Sequence, residues 1–218
     1  MTRIERLAAR LEEPLLVTGL VNVRYLTGLD SSNAAMLVDP AGEATLYTDF
    51  RYAEAAAAVE TARFHELPRH LVPALAERLS GRRVAVEAEH LTLAHADTLR
   101  TGGVELISTS GHVEALRAVK EPGELDALRR AASISDRVYE ELASQPFVGR
   151  TEKELAWWLE QAWREAGADG PSFDAIVAFG ENGARPHAKL RDEPIPADTL
   201  VVVDAGCAVD GYRSDCTR

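Results

Sequence analysis

Residues 201–218 read Val201-Val-Val-Asp-Ala-Gly-Cys-Ala-Val-Asp-Gly-Tyr-Arg-Ser-Asp-Cys-Thr-Arg218, and this stretch decides the fold of the C-terminal half of the chain. Its first three residues are β-branched valines, which favour a strand. The dipeptide Asp210-Gly211 readily supplies the two positive φ angles of a type I′ turn. The stretch therefore predicts a β-hairpin with Asp210 and Gly211 at its tip.

The register of this hairpin brings two aspartates to one face. With the tip at Asp210 and Gly211, Gly206 faces Asp215 and Asp204 faces Thr217. Asp204 and Asp215 are then diagonal neighbours, with backbones about 7–8 Å apart. Two carboxylates at that separation can reach a shared pair of metal ions. The register therefore indicates a candidate metal site.

Spacing alone leaves a second interpretation open, because Asp-Gly turns are common and aspartates at strand ends are often solvated or cap a nearby element. The same register puts Cys207 and Cys216 on the opposite face, so neither is expected to bind the metal. The chain has only these two cysteines. We therefore expect free thiols in a reducing compartment rather than a disulfide framework.

Composition limits the function classes. The 218-residue chain is 46% hydrophobic and 27% charged, typical of a soluble globular protein with one or two domains. Its formal net charge of −11 argues against nucleic acid and membrane as partners, because binding to either requires basic patches. Residues 1–11 have an amphipathic helix pattern, and no apolar run approaches the length of a membrane span. A cytoplasmic protein is predicted.

The pattern of elements predicts two domains. Strands are expected at 15–18, 34–38, 44–48, 83–88 and 104–107, and helices at 51–60, 68–79 and 91–100. Such alternation is typical of an α/β domain. From about Ser110 the pattern changes to long helices, at 122–143 and 151–166. The predicted domains are therefore 1–112 and 113–218.

The second long helix and the segment after it have clear local signals. Thr151 and Glu154 form a capping box. The residues at helical spacing form one apolar stripe, in which both tryptophans are interpreted as core: Leu155, Trp158, Leu159, Ala162 and Trp163. Residues 172–179 alternate like a strand, and 180–187 form a polar loop that ends at His187. From the chain alone, His187 is best interpreted as a surface histidine.

Several stretches together resemble a known family. Val203-Asp-Ala-Gly206 followed by residues 211–218 resembles the first metal-ligand segment of the pita-bread metallopeptidases, namely Xaa-Pro aminopeptidases and Xaa-Pro dipeptidases (prolidases). Residues 21–28, 47–52 and 116–125 resemble the creatinase-type N-terminal domain and its junction with the catalytic domain. The resemblance implies an α/β creatinase-like N-terminal domain followed by the first part of an α+β pita-bread catalytic domain.

The resemblance also implies an activity and its residues. The expected enzyme is a metal-dependent peptidase that cleaves bonds next to proline, by attack of a hydroxide that bridges two metal ions. Asp204 and Asp215 are the implied metal ligands, and Mn²⁺ is the expected ion, with Co²⁺ or Zn²⁺ as alternatives. His187 is the implied active-site histidine, which hydrogen-bonds the substrate carbonyl region. Thr217 is placed to orient the carboxylate of Asp204, although a purely structural strand pairing is the alternative.

The sequence departs from the family in its ligand count. In the family, one histidine and two glutamates complete the metal site, and this chain has no residues that match them. The five histidines other than His187 are interpreted as surface or structural residues: His65, His70, His90, His95 and His112. We therefore expect a truncated sequence that binds metal weakly and is inactive by itself. The expected partners of the full-length protein are a proline-containing peptide and a second copy, as a homodimer. A metal-free creatinase-like hydrolase and a non-catalytic interaction module stay open as alternatives.

Overall fold

The computed structural model describes all residues from Met1 to Arg218 and divides into two units, Met1–Val119 and Lys120–Arg218. The boundary thus lies at residue 119, whereas the sequence placed it at 112. The difference arises from the short helix His112–Arg117, whose Val113 and Leu116 are buried in the core of the first unit. Hydrophobic burial therefore assigns this helix to the first unit.

The first unit contains a six-stranded sheet with the strand order β4-β3-β2-β1-β5-β6. Its strands are β1 (Leu15–Val17), β2 (Ala34–Val38), β3 (Ala44–Thr48), β4 (Arg63–Glu66), β5 (Arg83–Glu87) and β6 (Glu105–Thr109). Its helices are α1 (Arg3–Ala8), α2 (Leu20–Thr27), α3 (Ala53–Ala57), α4 (Leu71–Arg78), α5 (Leu93–Thr101) and α6 (His112–Arg117). Strands β1, β2 and β3 pair antiparallel, whereas β4, β5 and β6 each join the sheet parallel to a neighbour.

Both faces of strands β1 and β2 are buried, as expected for strands that are apolar along their whole length. In β1, Leu15 and Val17 belong to one core cluster and Leu16 belongs to the other. In β2, Met36 and Leu37 are divided between the clusters in the same way. The alternation of side chains along each strand therefore distributes the apolar residues between two helical layers, and the α/β class predicted for this domain is confirmed.

Two features of the first unit differ from the sequence prediction. The helix expected at 51–60 is only a 3₁₀ turn, Phe50–Tyr52, followed by α3. Asp49 explains the interruption: its fully buried carboxylate accepts hydrogen bonds from the backbone and side chain of Arg51 and from Asn33. The Arg51 guanidinium holds the pKa of this carboxyl well below its usual range. Strand β4 was not predicted, because it is polar and lies at the sheet edge.

The second unit consists of two long helices and two small sheets. The helices are α7 (Pro122–Ala143) and α8 (Glu152–Glu165), and a 3₁₀ turn spans Gly180–Ala184. The strands are β7 (Gly170–Pro171), β8 (Ile176–Phe179), β9 (Val201–Ala205), β10 (Cys207–Val209), β11 (Tyr212–Arg213) and β12 (Cys216–Thr217). The sheets have the orders β11-β10-β7 and β12-β9-β8. The predicted bounds of α7 match the structure, and those of α8 differ by one residue at each end.

The predicted hairpin register is confirmed. Val209 pairs with Tyr212 and Asp204 pairs with Thr217. The tip residues Asp210 and Gly211 have φ angles of 52° and 80°, both positive as a type I′ turn requires. The hairpin therefore keeps one register along its whole length. Its strand pairing is interrupted only between β9 and β10 on one arm and between β11 and β12 on the other.

Helices α7 and α8 pack their apolar stripes against these strands. Trp163 is fully buried and Trp158 is partly buried against the same core cluster, so the interpretation of both tryptophans as core residues is confirmed. The capping box predicted at Thr151 and Glu154 is present. None of the helices in either unit combines the length and the apolarity that crossing a lipid bilayer requires.

Candidate active site

The face on which Asp204 lies is set by its neighbours in β9. Val203 and Ala205 are buried in the core of the second unit, so Asp204, which lies between them, projects from the opposite face of the strand. Directly paired residues share a face, so Ile176 of β8 and Thr217 of β12 lie on the same side as Asp204. Asp204 therefore lies in the middle of a three-stranded face that the core leaves free.

Gly206 occupies the position where the two arms of the hairpin approach most closely. A Cβ atom added to Gly206 would lie 2.0 Å from the carbonyl oxygen of Ser214 and 2.7 Å from the Oγ of Ser172. The Ser172 hydroxyl donates to the same carbonyl oxygen at 2.8 Å. Only glycine, which has no Cβ atom, fits where the two arms lie this close together. Since Gly206 faces Asp215 in the register, this close approach also fixes the backbone that carries Asp215.

The two aspartates differ in their surroundings. The Thr217 hydroxyl donates a 2.6 Å hydrogen bond to Oδ1 of Asp204, which is partly buried. Asp215 is exposed, and no hydrogen bond or ion pair within the protein reaches its side chain. Oδ2 of Asp204 and both oxygens of Asp215 are thus available to a ligand. Carboxylate oxygens suit hard divalent cations, so this donor set fits the ions that the sequence predicted.

Tyr139 of α7 secures the hairpin from the core side. Its hydroxyl donates to the carbonyl oxygen of Cys216 at 2.5 Å and lies 3.3 Å from that of Ala205. Burial, followed by the nearby charges of Cys216 and Asp204, raises the pKa of this hydroxyl, so it stays protonated and can donate. The hydrogen bonds join α7 to both arms at the level of the aspartates, which limits how far β9 and β12 can separate.

The cysteines lie on the core side, as predicted. Cys207 is buried, and its thiol donates to the carbonyl oxygen of Ala131 in α7 at 3.3 Å. Cys216 is partly buried and pairs with Ala205, whose side chain is in the core. Both thiols are free. They face away from the carboxylates, so sulfur does not contribute to the candidate metal site.

His187 lines a cleft of about 650 Å³ in the second unit. The side chain is exposed and lies on the loop that follows β8. The apolar walls of the cleft include Trp157, Phe173 and Ile176. Ile176 pairs with Asp204 across β8 and β9, but neither Asp204 nor Asp215 lines the cleft. The structure therefore does not bring His187 and the two aspartates together in one pocket.

Sequence reasoning placed Trp157 under the first domain or at a subunit contact, and assigned none of the apolar residues of the cleft to a substrate-binding surface. Trp157 is largely exposed and lies beside the core stripe of α8. A large apolar side chain that a helix does not bury in its own core is a signal for a binding surface, and this signal was available from the helical spacing. Phe173 and Ile176 gave no such signal, because their environment depends on how the following loop packs.

The possible ligand atoms of His187, Asp204 and Asp215 do not all lie within 4.8 Å of one another. In the first unit, those of Glu87, His90 and Glu114 do. In that set the amide of Asn22 already donates to both carboxylates. Its nitrogen lies where a cation would have to bind. The first-unit cluster is therefore a hydrogen-bonded network, in which Glu87 also accepts from two backbone N–H groups at the start of α2.

Known proteins resemble the chain over nearly its whole length. Residues 3–119 match the family model of the creatinase/prolidase N-terminal domain, and residues 126–218 match that of metallopeptidase family M24. The uncharacterised peptidase YqhT of Bacillus subtilis is 34% identical over 212 residues, which are 94% of this chain and 59% of that protein.

Solved structures agree. The structure of an Xaa-Pro dipeptidase from Bacillus anthracis is 29% identical with a TM-score of 0.91, and the match covers 99% of this chain and 63% of that one. The structure of an X-Pro aminopeptidase from Thermotoga maritima is 27% identical with a TM-score of 0.83, over 94% of this chain and 61% of that one. The chain spans about three fifths of the length of these relatives.

The family matches confirm the architecture that the resemblance implied, an α/β creatinase-like domain followed by the first part of a pita-bread domain. The boundary between the two matched regions agrees with the division of the structure at residue 119. This chain belongs to the family of proteins with the creatinase/prolidase N-terminal domain, and its residues 126–218 match metallopeptidase family M24.

Proposed function

We propose that this protein is a peptidase that hydrolyses the peptide bond next to proline, with Asp204 and Asp215 as metal ligands. The observation that carries the proposal is the placement of Asp204, which is oriented by Thr217 and pairs with Ile176 of the cleft that His187 lines. The structures of an Xaa-Pro dipeptidase and an X-Pro aminopeptidase resemble the chain over 94% or more of its length, which supports this substrate class.

The proposed roles follow from the chemistry of each group. Asp204 and Asp215 would hold two divalent cations, for which Mn²⁺ is the first choice and Co²⁺ or Zn²⁺ the alternatives. Such ions supply an activated water and polarise the scissile carbonyl. Thr217 fixes the orientation of the Asp204 carboxylate by occupying Oδ1, which leaves Oδ2 for the metal. His187 donates a hydrogen bond to the carbonyl oxygen of the substrate as negative charge develops there.

The walls of the cleft suit a short peptide. Trp157, Phe173 and Ile176 offer apolar surface to a substrate side chain, and the cleft is of a size usual for small ligands. Lys189 and Glu160 also line the cleft and provide charges of both signs. Peptide termini carry both charges, so the lining is compatible with a peptide. The choice between dipeptides and longer peptides, homodimer formation and a cytoplasmic location stay predictions.

Two aspartates alone provide fewer ligands than a hard divalent ion prefers, which is about six. We therefore expect the 218-residue chain to bind Mn²⁺ weakly and to cleave Xaa-Pro peptides little or not at all. The test compares this chain with any longer product of the same open reading frame, by metal analysis and by Xaa-Pro cleavage. We expect the latter to show cleavage that a chelator abolishes and Mn²⁺ restores.

Variants within the hairpin assign the activity to its site. Asp215→Asn removes one proposed ligand, whereas Asp210→Asn changes the same charge at the exposed turn tip, where asparagine tolerates the positive φ. We expect Asp215→Asn to abolish metal-dependent cleavage and Asp210→Asn to retain it. Cleavage that resists the chelator would exclude the metallopeptidase proposal and favour a metal-free creatinase-like hydrolase. No cleavage of any Xaa-Pro peptide would exclude the substrate class.

A further inference from the structure

The loop that carries His187 has little regular structure of its own. It leaves β8 after Phe179, forms the 3₁₀ turn Gly180–Ala184, and reaches His187 in an exposed segment. An exposed loop of this kind would be mobile unless something fixed its ends. The imidazole of His187 can act on a substrate only if the loop holds it at the cleft.

A buried carboxylate fixes both ends of this loop. Glu152, the first residue of α8, is fully buried. Its Oε1 accepts from the backbone N–H of Phe179 at 3.0 Å, before the loop, and its Oε2 accepts from the backbone N–H of Arg191 at 2.7 Å, after the loop. The two ends of the loop therefore meet at one side chain.

Asn182 and Arg191 complete the arrangement. The amide of the buried Asn182 donates to both oxygens of Glu152, at 3.1 and 3.0 Å, and to the carbonyl oxygen of Lys189 at 3.1 Å. The Arg191 guanidinium donates to Oε1 of Glu152 at 3.2 Å and to the carbonyl oxygen of Phe179 at 3.1 Å. Between Asn182 and Lys189, no residue takes part in these hydrogen bonds, and His187 lies in this segment.

The charge of Glu152 is maintained at this buried site. Burial by itself raises the pKa of the carboxyl, but hydrogen bonds from Phe179, Asn182 and Arg191 outweigh it, so the pKa lies below its usual value. The N-terminus of α8 adds a favourable field for a negative charge. An ionised acceptor makes stronger hydrogen bonds than a neutral one, so the loop ends are held by charge-assisted bonds.

We propose that Glu152 is a positioning residue for His187, which acts by closing the loop from Phe179 to Arg191 and makes no contact with the substrate. The proposal rests on the proposed function only for the role of His187 in the reaction. The fixation of the loop itself is a property of the second unit and can be measured without substrate or metal.

The test compares Glu152→Gln with Glu154→Gln in the 218-residue chain. Both variants replace a glutamate by its amide in the first turn of α8, but Glu154 is exposed and glutamine can replace it in the capping box. In Glu152→Gln, the new amide group would place a donor against the donors of Arg191 or Asn182. The measurements are hydrogen exchange of residues 179–191 and the NMR chemical shifts of the histidine side chains.

We expect Glu152→Gln to accelerate exchange in residues 179–191 by about tenfold or more, while Glu154→Gln has little effect there. The His187 imidazole resonances should shift, whereas those of the five histidines of the first unit stay in place. Unchanged loop exchange, or acceleration spread evenly over the second unit, would overturn the proposal. If Glu152→Gln does not fold, Arg191→Gln at a partly exposed side chain provides the same comparison.

The activity measurement separates this proposal from the proposed function. In a preparation that cleaves Xaa-Pro peptides, Glu152→Gln should lower kcat by up to about a hundredfold with a smaller change in KM, because a displaced group loses its alignment with the reacting atoms. Altered loop exchange in the 218-residue chain, together with no Xaa-Pro cleavage by any longer product of the same open reading frame, would reject the peptidase proposal and retain the loop-closing role. If His187 is displaced in Glu152→Gln but kcat does not change, the proposal that Glu152 positions His187 for catalysis is wrong.

Discussion

Replacement of Gly206 by alanine tests whether the hairpin crossing is as close as the structure indicates. The new Cβ would lie 2.0 Å from the Ser214 carbonyl oxygen and 2.7 Å from the Ser172 Oγ. The serine side chain can rotate away. The carbonyl oxygen belongs to the backbone, so the strand that leads to Asp215 must move by about 1 Å or more to restore ordinary contact.

The cost follows from this clash. Overpacking a well-ordered interior costs about 1–3 kcal/mol, and a contact against backbone places Gly206→Ala at the upper end. For a unit of roughly 100 residues, about 3 kcal/mol lowers Tm by about 12–24 °C. The assay is thermal unfolding followed by tryptophan fluorescence. Trp157, Trp158 and Trp163 all lie in the second unit, so this signal reports on that unit alone.

Gly123→Ala is the matched control, because a Cβ at Gly123 would contact nothing within 4 Å and the residue lies in the first turn of α7. We expect it to be neutral or to stabilise the unit by up to about 1 kcal/mol. A Gly206→Ala variant that melts within about 3 °C of the unsubstituted protein, a shift of less than about 1 kcal/mol, would refute the reasoning. There would then be more space between Gly206 and the Ser214 carbonyl oxygen than the structure shows.

Two further predictions concern the aspartate face and the loop anchor. Thr217→Val removes the 2.6 Å hydrogen bond to Asp204 at nearly constant volume, and should weaken Mn²⁺ binding about 10–100-fold. Calorimetric titration of a preparation that binds Mn²⁺ measures this, and unchanged affinity would contradict it. Because the pKa of Glu152 is lowered from its usual 4.5, its contribution to stability is present above pH 4.5 and is lost as the pH falls. The fluorescence-detected stability of Glu152→Gln should therefore decline less on acidification, and parallel curves for the two proteins would contradict this.

The sequence predicted the hairpin well because local rules determine it. Asp210-Gly211 specifies the turn, and the turn specifies every pair down to Asp204 with Thr217. The bounds of α7 were predictable for a similar reason, since the first turn contains Pro122 and a capping box closes on Glu124. Where a single short segment decides the geometry, its residues can be read directly.

The sequence could not predict features that depend on distant partners. Glu152 looks like an ordinary acidic residue in the first turn of a helix, and its burial depends on Asn182 and Arg191, which lie 30 and 39 positions further along the chain. His187 gave no signal of its own, because an exposed histidine in a polar loop has many uses. Strand β4 is half exposed at an edge, where no apolar pattern is needed to keep it in place.

Because Tyr139 attaches the hairpin through its backbone, the aspartate side chains can be redesigned separately from the fold. Helix α7 holds β9 and β12 through the main-chain oxygens of Ala205 and Cys216, and the aspartate side chains take no part in this attachment. Substitution of asparagine, histidine or glutamate at position 204 or 215 should therefore leave the backbone where it is. The ion preference of the site becomes adjustable through two side chains, while the unfolding temperature stays nearly constant.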